Sequence, residues 1–155
     1  FGCGVQIHFT NRRQLLISNS MVQKKVLLAE DDLDDRMIFE DFLEDRNDFL
    51  LISVVENGVE IFEFLNGLNS ESELPQLIIL DKNMPKINGV EALKLLKSEE
   101  RFSKISVVIY STYIDQNLVN TCKALGAAAI LPKPFTKSGY NEMMDEFLRT
   151  TKDIF

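Results

Sequence analysis

Glu30-Asp31-Asp32, Asp81, Ser111 and Lys133 are the residues whose types and spacing could do chemistry. Each stands at the end of a short apolar run. Val26-Leu27-Leu28-Ala29 precedes the acids, Leu77-Ile78-Ile79-Leu80 precedes Asp81, Ile105 to Tyr110 precedes Ser111, and Ala127 to Leu131 leads to Pro132-Lys133-Pro134. If those runs are neighbouring strands, three carboxylates, a hydroxyl and an ammonium meet on one rim. Like charges about 4 Å apart repel by ~4 kcal/mol at an effective dielectric of about 20, so Glu30, Asp31 and Asp81 require cations or a raised pKa. Lys133 supplies one positive charge and a divalent ion supplies two, which balances the three acids. Hard carboxylate oxygens suit Mg²⁺, whereas zinc lacks a nearby cysteine or histidine in the pattern. A carboxylate beside Mg²⁺ and a lysine is a competent nucleophile toward phosphorus and gives an acyl phosphate. Ser111 offers a hydroxyl to phosphoryl oxygens, although by itself it reads equally well as a strand-end serine bonded to backbone.

The elements that must position these residues follow from periodicity. Between the strand-like runs, apolar residues recur at helical spacing: Met37, Ile38, Phe42 and Leu43 in a first helix, Ile61, Phe62, Phe64, Leu65 and Leu68 in a second. Val90, Leu93, Leu95 and Leu96 mark a third helix after Gly89, and Leu118, Val119, Cys122 and Leu125 a fourth that Gly126 ends as a C′ residue. Tyr140, Met143, Met144, Phe147 and Leu148 line a fifth. With Leu50 to Val55 as strand two, the chain is five βα units in sequence. Strands two, three and four read as nearly unbroken apolar runs, which predicts a parallel sheet covered by helices on both faces. The fold class is α/β, a doubly wound three-layer sandwich, in which ligands bind beyond the carboxyl ends of the strands. The rest of the acidic stretch has a plainer reading: Asp34 and Asp35 form a solvated face that favours the helix dipole, and Asp32 is a helix cap or a water-mediated contributor.

Composition sets the remaining bounds. The chain has 155 residues, enough for one compact domain, with 45% hydrophobic and 26% charged residues. A net charge of −7 repels phosphate backbones and argues against nucleic-acid binding. The apolar runs are strand-length, so no membrane span is expected. Cys3 and Cys122 have neither metal-type spacing nor a disulfide framework, and a reduced, cytoplasmic setting is expected. Residues 1–22 do not read like the rest and are expected to be a leader or extension outside the fold, with Met21 as the natural start. The domain itself is expected over 23–152, with 153–155 as the end of the chain.

Four segments together resemble a known family. Val26 to Asp32, Leu80-Asp81-Lys82-Asn83-Met84-Pro85 with Gly89 four residues on, Ile109-Tyr110-Ser111, and Lys133-Pro134-Phe135 are similar to the four signature segments of response regulator receiver domains, in the family's order, over roughly residues 23–152. The resemblance implies a five-stranded parallel sheet in order 2-1-3-4-5, the flavodoxin-like (βα)5 arrangement. It implies that Asp81 is the phosphoacceptor and that Glu30 and Asp31 hold Mg²⁺, directly or through water, with the backbone carbonyl of Asn83 as a further ligand. Lys133 is implied to pair with the phosphoryl group, Ser111 to follow it inward, and the bond before Pro134 to be cis, as is common in the family. It further implies a two-component or phosphorelay switch rather than an enzyme. The phosphoryl group would come from a sensor histidine kinase or histidine phosphotransfer protein docked near the first helix. An unidentified downstream protein would be met on the fourth helix, fifth strand and fifth helix. Thr151 to Phe155 is too short for a DNA-binding unit, so the effect is expected to pass through that partner.

The sequence also departs from the family pattern. Ile130 stands where many receivers carry a switching aromatic, and a β-branched side chain is stiff at χ1 and has no ring to swing. Tyr110 and Tyr113 flank Ser111 and read as packing residues. Glu30 and Ser111 replace the commoner Asp and Thr while keeping the carboxylate and the hydroxyl. Three other functions compete. A haloacid dehalogenase-like phosphatase needs a second aspartate where Asn83 stands. An FMN carrier needs a phosphate cradle where Glu30-Asp31-Asp32 would repel one. A pseudo-receiver would bind partners without phosphorylation.

Overall fold

A computed structural model describes residues 22–150. The expectations for residues 1–21 and 151–155 lie outside the described residues. Five strands alternate with five helices: β1 (Lys24–Ala29), α1 (Leu33–Glu44), β2 (Phe49–Val55), α2 (Gly58–Asn66), β3 (Leu77–Asp81), α3 (Gly89–Ser98), β4 (Ser106–Ser111), α4 (Gln116–Ala124), β5 (Ala129–Pro132) and α5 (Lys137–Thr150). A single 3-10 turn, Glu71–Glu73, precedes β3. All pairings in the sheet are parallel, in the order β2-β1-β3-β4-β5. This is the expected doubly wound order.

The pleat sorts the strand side chains into two cores, because successive residues point to opposite faces. Leu27, Ile78, Leu80, Val107 and Ile109 pack on one side with Ile61 and Leu65 of α2, Leu93 and Leu96 of α3, and Leu118 and Cys122 of α4. Val26, Leu28, Leu77, Ile79, Val108 and Tyr110 pack on the other with Phe39 and Phe42 of α1 and Tyr140, Met143 and Phe147 of α5. The same parity carries past the strand ends. Glu30 follows Val26 and Leu28, Asp81 follows Leu77 and Ile79, and Lys133 follows Ala129 and Leu131. All three therefore emerge on the α1–α5 side of the rim, together with Tyr110.

Helix ends are set by local chemistry. Asp32 caps α1 by accepting from the Asp35 amide at 3.0 Å, one of the two roles expected of it. Asn88 caps α3 in a reciprocal box with Glu91. Gly126 follows α4 with φ +90°, a left-handed conformation that favours glycine, as its position in the sequence predicted.

Several details differ from the expectations. β2 is an edge strand among the described residues: Leu50 is about half exposed and the strand's middle only half-buried, since no described strand pairs with its outer side and α1 and α2 cover it incompletely. Met37 of α1 faces solvent, and Phe39 takes the core position in its place. Leu95 of α3 is likewise exposed while Ala92 is buried. In both helices a 3.6-residue period read from apolar residues alone drifted by about one position, because an exposed apolar residue is common on any surface. Among the described residues no peptide bond is cis, so the bond before Pro134 is trans. The two isomers of such a bond differ by only about 0.5–1 kcal/mol.

Candidate phosphoacceptor and metal site

At the carboxyl ends of the strands, Glu30, Asp81 and Lys133 are buried together. The Lys133 ammonium lies 2.7 Å from Glu30 Oε2 and 3.4 Å from Asp81 Oδ2. Its backbone amide extends the ladder by donating to the Ser111 carbonyl at 2.9 Å. The lysine stem is thereby anchored to β4 while its head crosses to β1 and β3.

Glu30 is fully enclosed, and both of its oxygens are engaged. Oε1 accepts from the Asp32 amide at 3.0 Å, while Oε2 accepts from the Tyr110 hydroxyl and pairs with Lys133. A buried carboxylate needs such partners, since an unpaired one carries a penalty of several kcal/mol (about 3–5 when a partner is removed). The Tyr110 ring also lies beneath the ammonium, 5.2 Å from its centroid to Nζ. Burial, with the nearby Tyr140 and Glu30, holds the Tyr110 phenol far above its usual pKa, so it is a donor at all ordinary pH.

Asp81 has a freer environment. Oδ1 accepts from the Asn83 amide at 3.2 Å and Oδ2 receives Lys133 at 3.4 Å. Burial and then the charge of Glu30 push its pKa up to about 6, against the opposing pull of Lys133. Burial works against the Lys133 ammonium as well, but Asp35, Glu30 and Asp81 outweigh it and hold the group above the ordinary lysine value. Gly89 fixes the approach of α3 to this point. A Cβ there would stand 2.5 Å from the Asp81 carbonyl oxygen, so only glycine lets the helix start so close to the carboxylate's backbone. The glycine's spacing after Asp81 thus has a steric cause.

One carboxylate oxygen each from Glu30, Asp31 and Asp81 lies within 4.8 Å of the others. Asp31 is exposed, and nothing in its donor set is softer than oxygen. The cluster fits a hard divalent cation, with Asp31 and Asp81 offering the more open oxygens and Glu30 held from within. Asn83 lies beside this cluster, joined to Asp81 through its amide.

Ser111 stands apart. It is buried, but it has the other pleat parity and turns its hydroxyl to the Tyr113 carbonyl at 2.7 Å. In this state it is the backbone-bonded strand-end serine. Ile130 is half-buried against the α2–α4 side, away from the cluster.

Two residues of the site escaped the sequence. Asp35, read as part of a solvated face, lies 2.6 Å from Lys133 with its side chain only 21% exposed. The available signal was its place three residues after the cap Asp32, in the first turn of a helix that starts directly behind the acidic strand end. Tyr110, read as packing, both packs and holds Glu30; its signal was its place beside Asp81, directly across the β3–β4 ladder.

Comparison with known proteins places the chain in a family. The sequence profile of the family described as the response regulator receiver domain matches residues 26–145. A protein-glutamate methylesterase/protein-glutamine glutaminase of Methanospirillum hungatei is 29% identical over 130 residues, covering 84% of this chain and 36% of that protein. The chain thus spans about a third of the length of such relatives. Chemotaxis protein CheY1 of Helicobacter pylori is 29% identical over 126 residues, covering 81% of this chain and 98% of that one. Among solved structures, the Mn²⁺-bound form of response regulator Rcp1 is 27% identical with a TM-score of 0.64, covering 83% of this chain and 90% of that one.

Proposed function

The chain belongs to the response regulator receiver domain family, and from that premise we propose that it is a phosphoacceptor switch whose Asp81 takes a phosphoryl group from a phosphohistidine. One observation carries this reading: a buried carboxylate at a strand end, next to a buried ammonium and to two further acids that complete an oxygen cluster.

In the proposed transfer an Asp81 carboxylate oxygen attacks phosphorus, an O–P bond forms, and the P–N bond to the donor histidine breaks with its electron pair left on the ring nitrogen. Lys133 neutralises charge on the transferring group and is already desolvated for that task. Tyr110 keeps Glu30 hydrogen-bonded as the ammonium is drawn toward the phosphoryl oxygens. The Asn83 amide orients Asp81 through its bond to Oδ1. Glu30, Asp31 and Asp81, with the Asn83 carbonyl, would hold Mg²⁺, which would supply charge neutralisation at the phosphoryl oxygens; the related Rcp1 was captured with Mn²⁺. Ser111 releases its hydroxyl from the Tyr113 carbonyl and donates it to the new group.

A receiver of this kind acts in two-component signalling as a switch rather than as an enzyme in the usual sense. Its proposed donor is a sensor histidine kinase or histidine phosphotransfer protein, and its proposed readout is altered binding to another protein. No helix among the described residues is long and apolar enough to cross a membrane.

Incubation with Mg²⁺ and a small phosphodonor is expected to add one phosphoryl group by intact mass, and none to Asp81→Asn. Wild-type protein that stays unmodified beside a working positive control overturns the proposal.

A further inference from the structure

Lys133 is nearer to α1 than to the carboxylate it is proposed to serve. Its Nζ lies 2.6 Å from Asp35 Oδ2 and 2.7 Å from Glu30, but 3.4 Å from Asp81. Glu30 and Asp81 both belong to the oxygen cluster that fits a cation, whereas Asp35 does not. It is also the one member of the trio that sits on a helix, in the first turn of α1 just after its cap. An ammonium is a compact charge with three N–H groups, and here Asp35 takes the shortest of its contacts.

We propose that Asp35 is a positioning residue that competes with the phosphoryl group for Lys133, so that the first turn of α1 restrains phosphorylation at Asp81. The inference rests on the reading of Asp81 as phosphoacceptor. A phosphoryl group carries more charge than the carboxylate it replaces and forms short charge-assisted bonds to lysine. To make them, it must draw Lys133 out of its bond to Asp35. The released carboxylate has another donor at hand. The Tyr140 hydroxyl on α5 is buried and has no hydrogen-bond partner among the described residues beyond the neighbouring Tyr110 phenol, and the charge of Asp35 already acts on it. Two arrangements of the same side chains are therefore available, one with the lysine shared between Asp35 and Asp81 and one with it released from Asp35 to the phosphorylated Asp81.

Beryllofluoride with saturating Mg²⁺ is the probe, with affinity measured by calorimetry on the full chain. Asp35→Asn is expected to bind it about fivefold more tightly, the effect of losing one partly buried ion pair. Asp34→Asn removes the same charge from an exposed neighbour without any contact to Lys133, and is expected to change affinity less than twofold. Asp35→Glu is expected to restore the wild-type value. Asp35→Asn that binds no more tightly than Asp34→Asn overturns the inference, even if it melts at a lower temperature. A second measurement uses wild-type protein alone: the Asp35 carboxyl ¹³C resonance is expected to shift on saturation with Mg²⁺ and beryllofluoride, and an unmoved resonance also overturns it. Failure of wild-type protein to bind beryllofluoride overturns the phosphoacceptor reading, and this inference with it.

Discussion

Two cation clusters, around Arg46 and around Lys133, tie distant segments of the chain together and are built in opposite ways. Arg46, in the loop after α1, makes two bonds to Asp48 at 2.8 and 2.6 Å and reaches Asp145 of α5 at 2.7 Å and Asn141 at 3.2 Å. Its guanidinium also lies over the rings of Phe42 and Phe49. The planar fork matches a carboxylate with both groups already paired, and each side holds the other in its charged form, Arg46 well above and Asp48 below the usual value. Lys133 has the harder position. One point charge is divided among Glu30, Asp35 and Asp81, with Asp31 close by. In the first cluster the fork pairs Asp48 on both oxygens and the remaining acid, Asp145, is exposed to solvent, whereas the second cluster is buried and short of positive charge. A ligand that brings charge has something to gain only at the second.

Removing each cation should expose this difference most strongly. Lys133→Met leaves Glu30 and Asp81 buried without an ammonium and is expected to lose about 3 kcal/mol in denaturant unfolding with chelator present. Much of that loss should return on adding Mg²⁺. An equal loss with and without Mg²⁺ would remove the link between charge deficit and metal.

The pH dependence of Asp81 sharpens the comparison from the acid side. Its pKa is raised to about 6 in the folded chain, so the folded state favours the protonated form. That contribution is fully present below the ordinary value of 3.8 and is lost as pH rises through about 6. In metal-free buffer Asp81→Asn, which keeps the shape without the charge, is therefore expected to be more stable than wild type above pH 6, by about 1–3 kcal/mol. The gap should close toward pH 4, as thermal melts across the range would show. A gap that widens with acid would reverse the sign and contradict the burial of Asp81 as its cause.

Arg46→Met should have the smallest effect, a loss of about 1–2 kcal/mol. The loss should be the same with Mg²⁺ and with chelator, since the second acid of the Arg46 cluster, Asp145, is exposed and met by solvent. A metal-dependent loss would show that the two clusters are coupled through α1 and α5.

Much of this was legible before any coordinates. Apolar runs bounded by turn residues gave the five strands, and Glu30, Asp31, Asp81 and Lys133 each stand where a run stops. Gly126 was readable because a left-handed residue after a helix favours glycine. Asp35 was not readable, because a charge in the first turn of a helix is usually solvated, and only the packing of α1 against the β5–α5 loop turns it inward. Tyr110 was hidden for a related reason: an aromatic residue in a core strand is explained by packing alone, and its hydroxyl acquires meaning only when β1 lies within reach.

The order of types along the chain thus determined the strands, the acids at their ends and the lysine that answers them, because local periodicity and strand-end position are properties of neighbours in sequence. What only the tertiary structure decided is how one ammonium is divided among its claimants. That division depends on distances between β1, β3, β5 and α1, segments up to about a hundred residues apart, and short-range pattern has no means of encoding a difference between 2.6 and 3.4 Å.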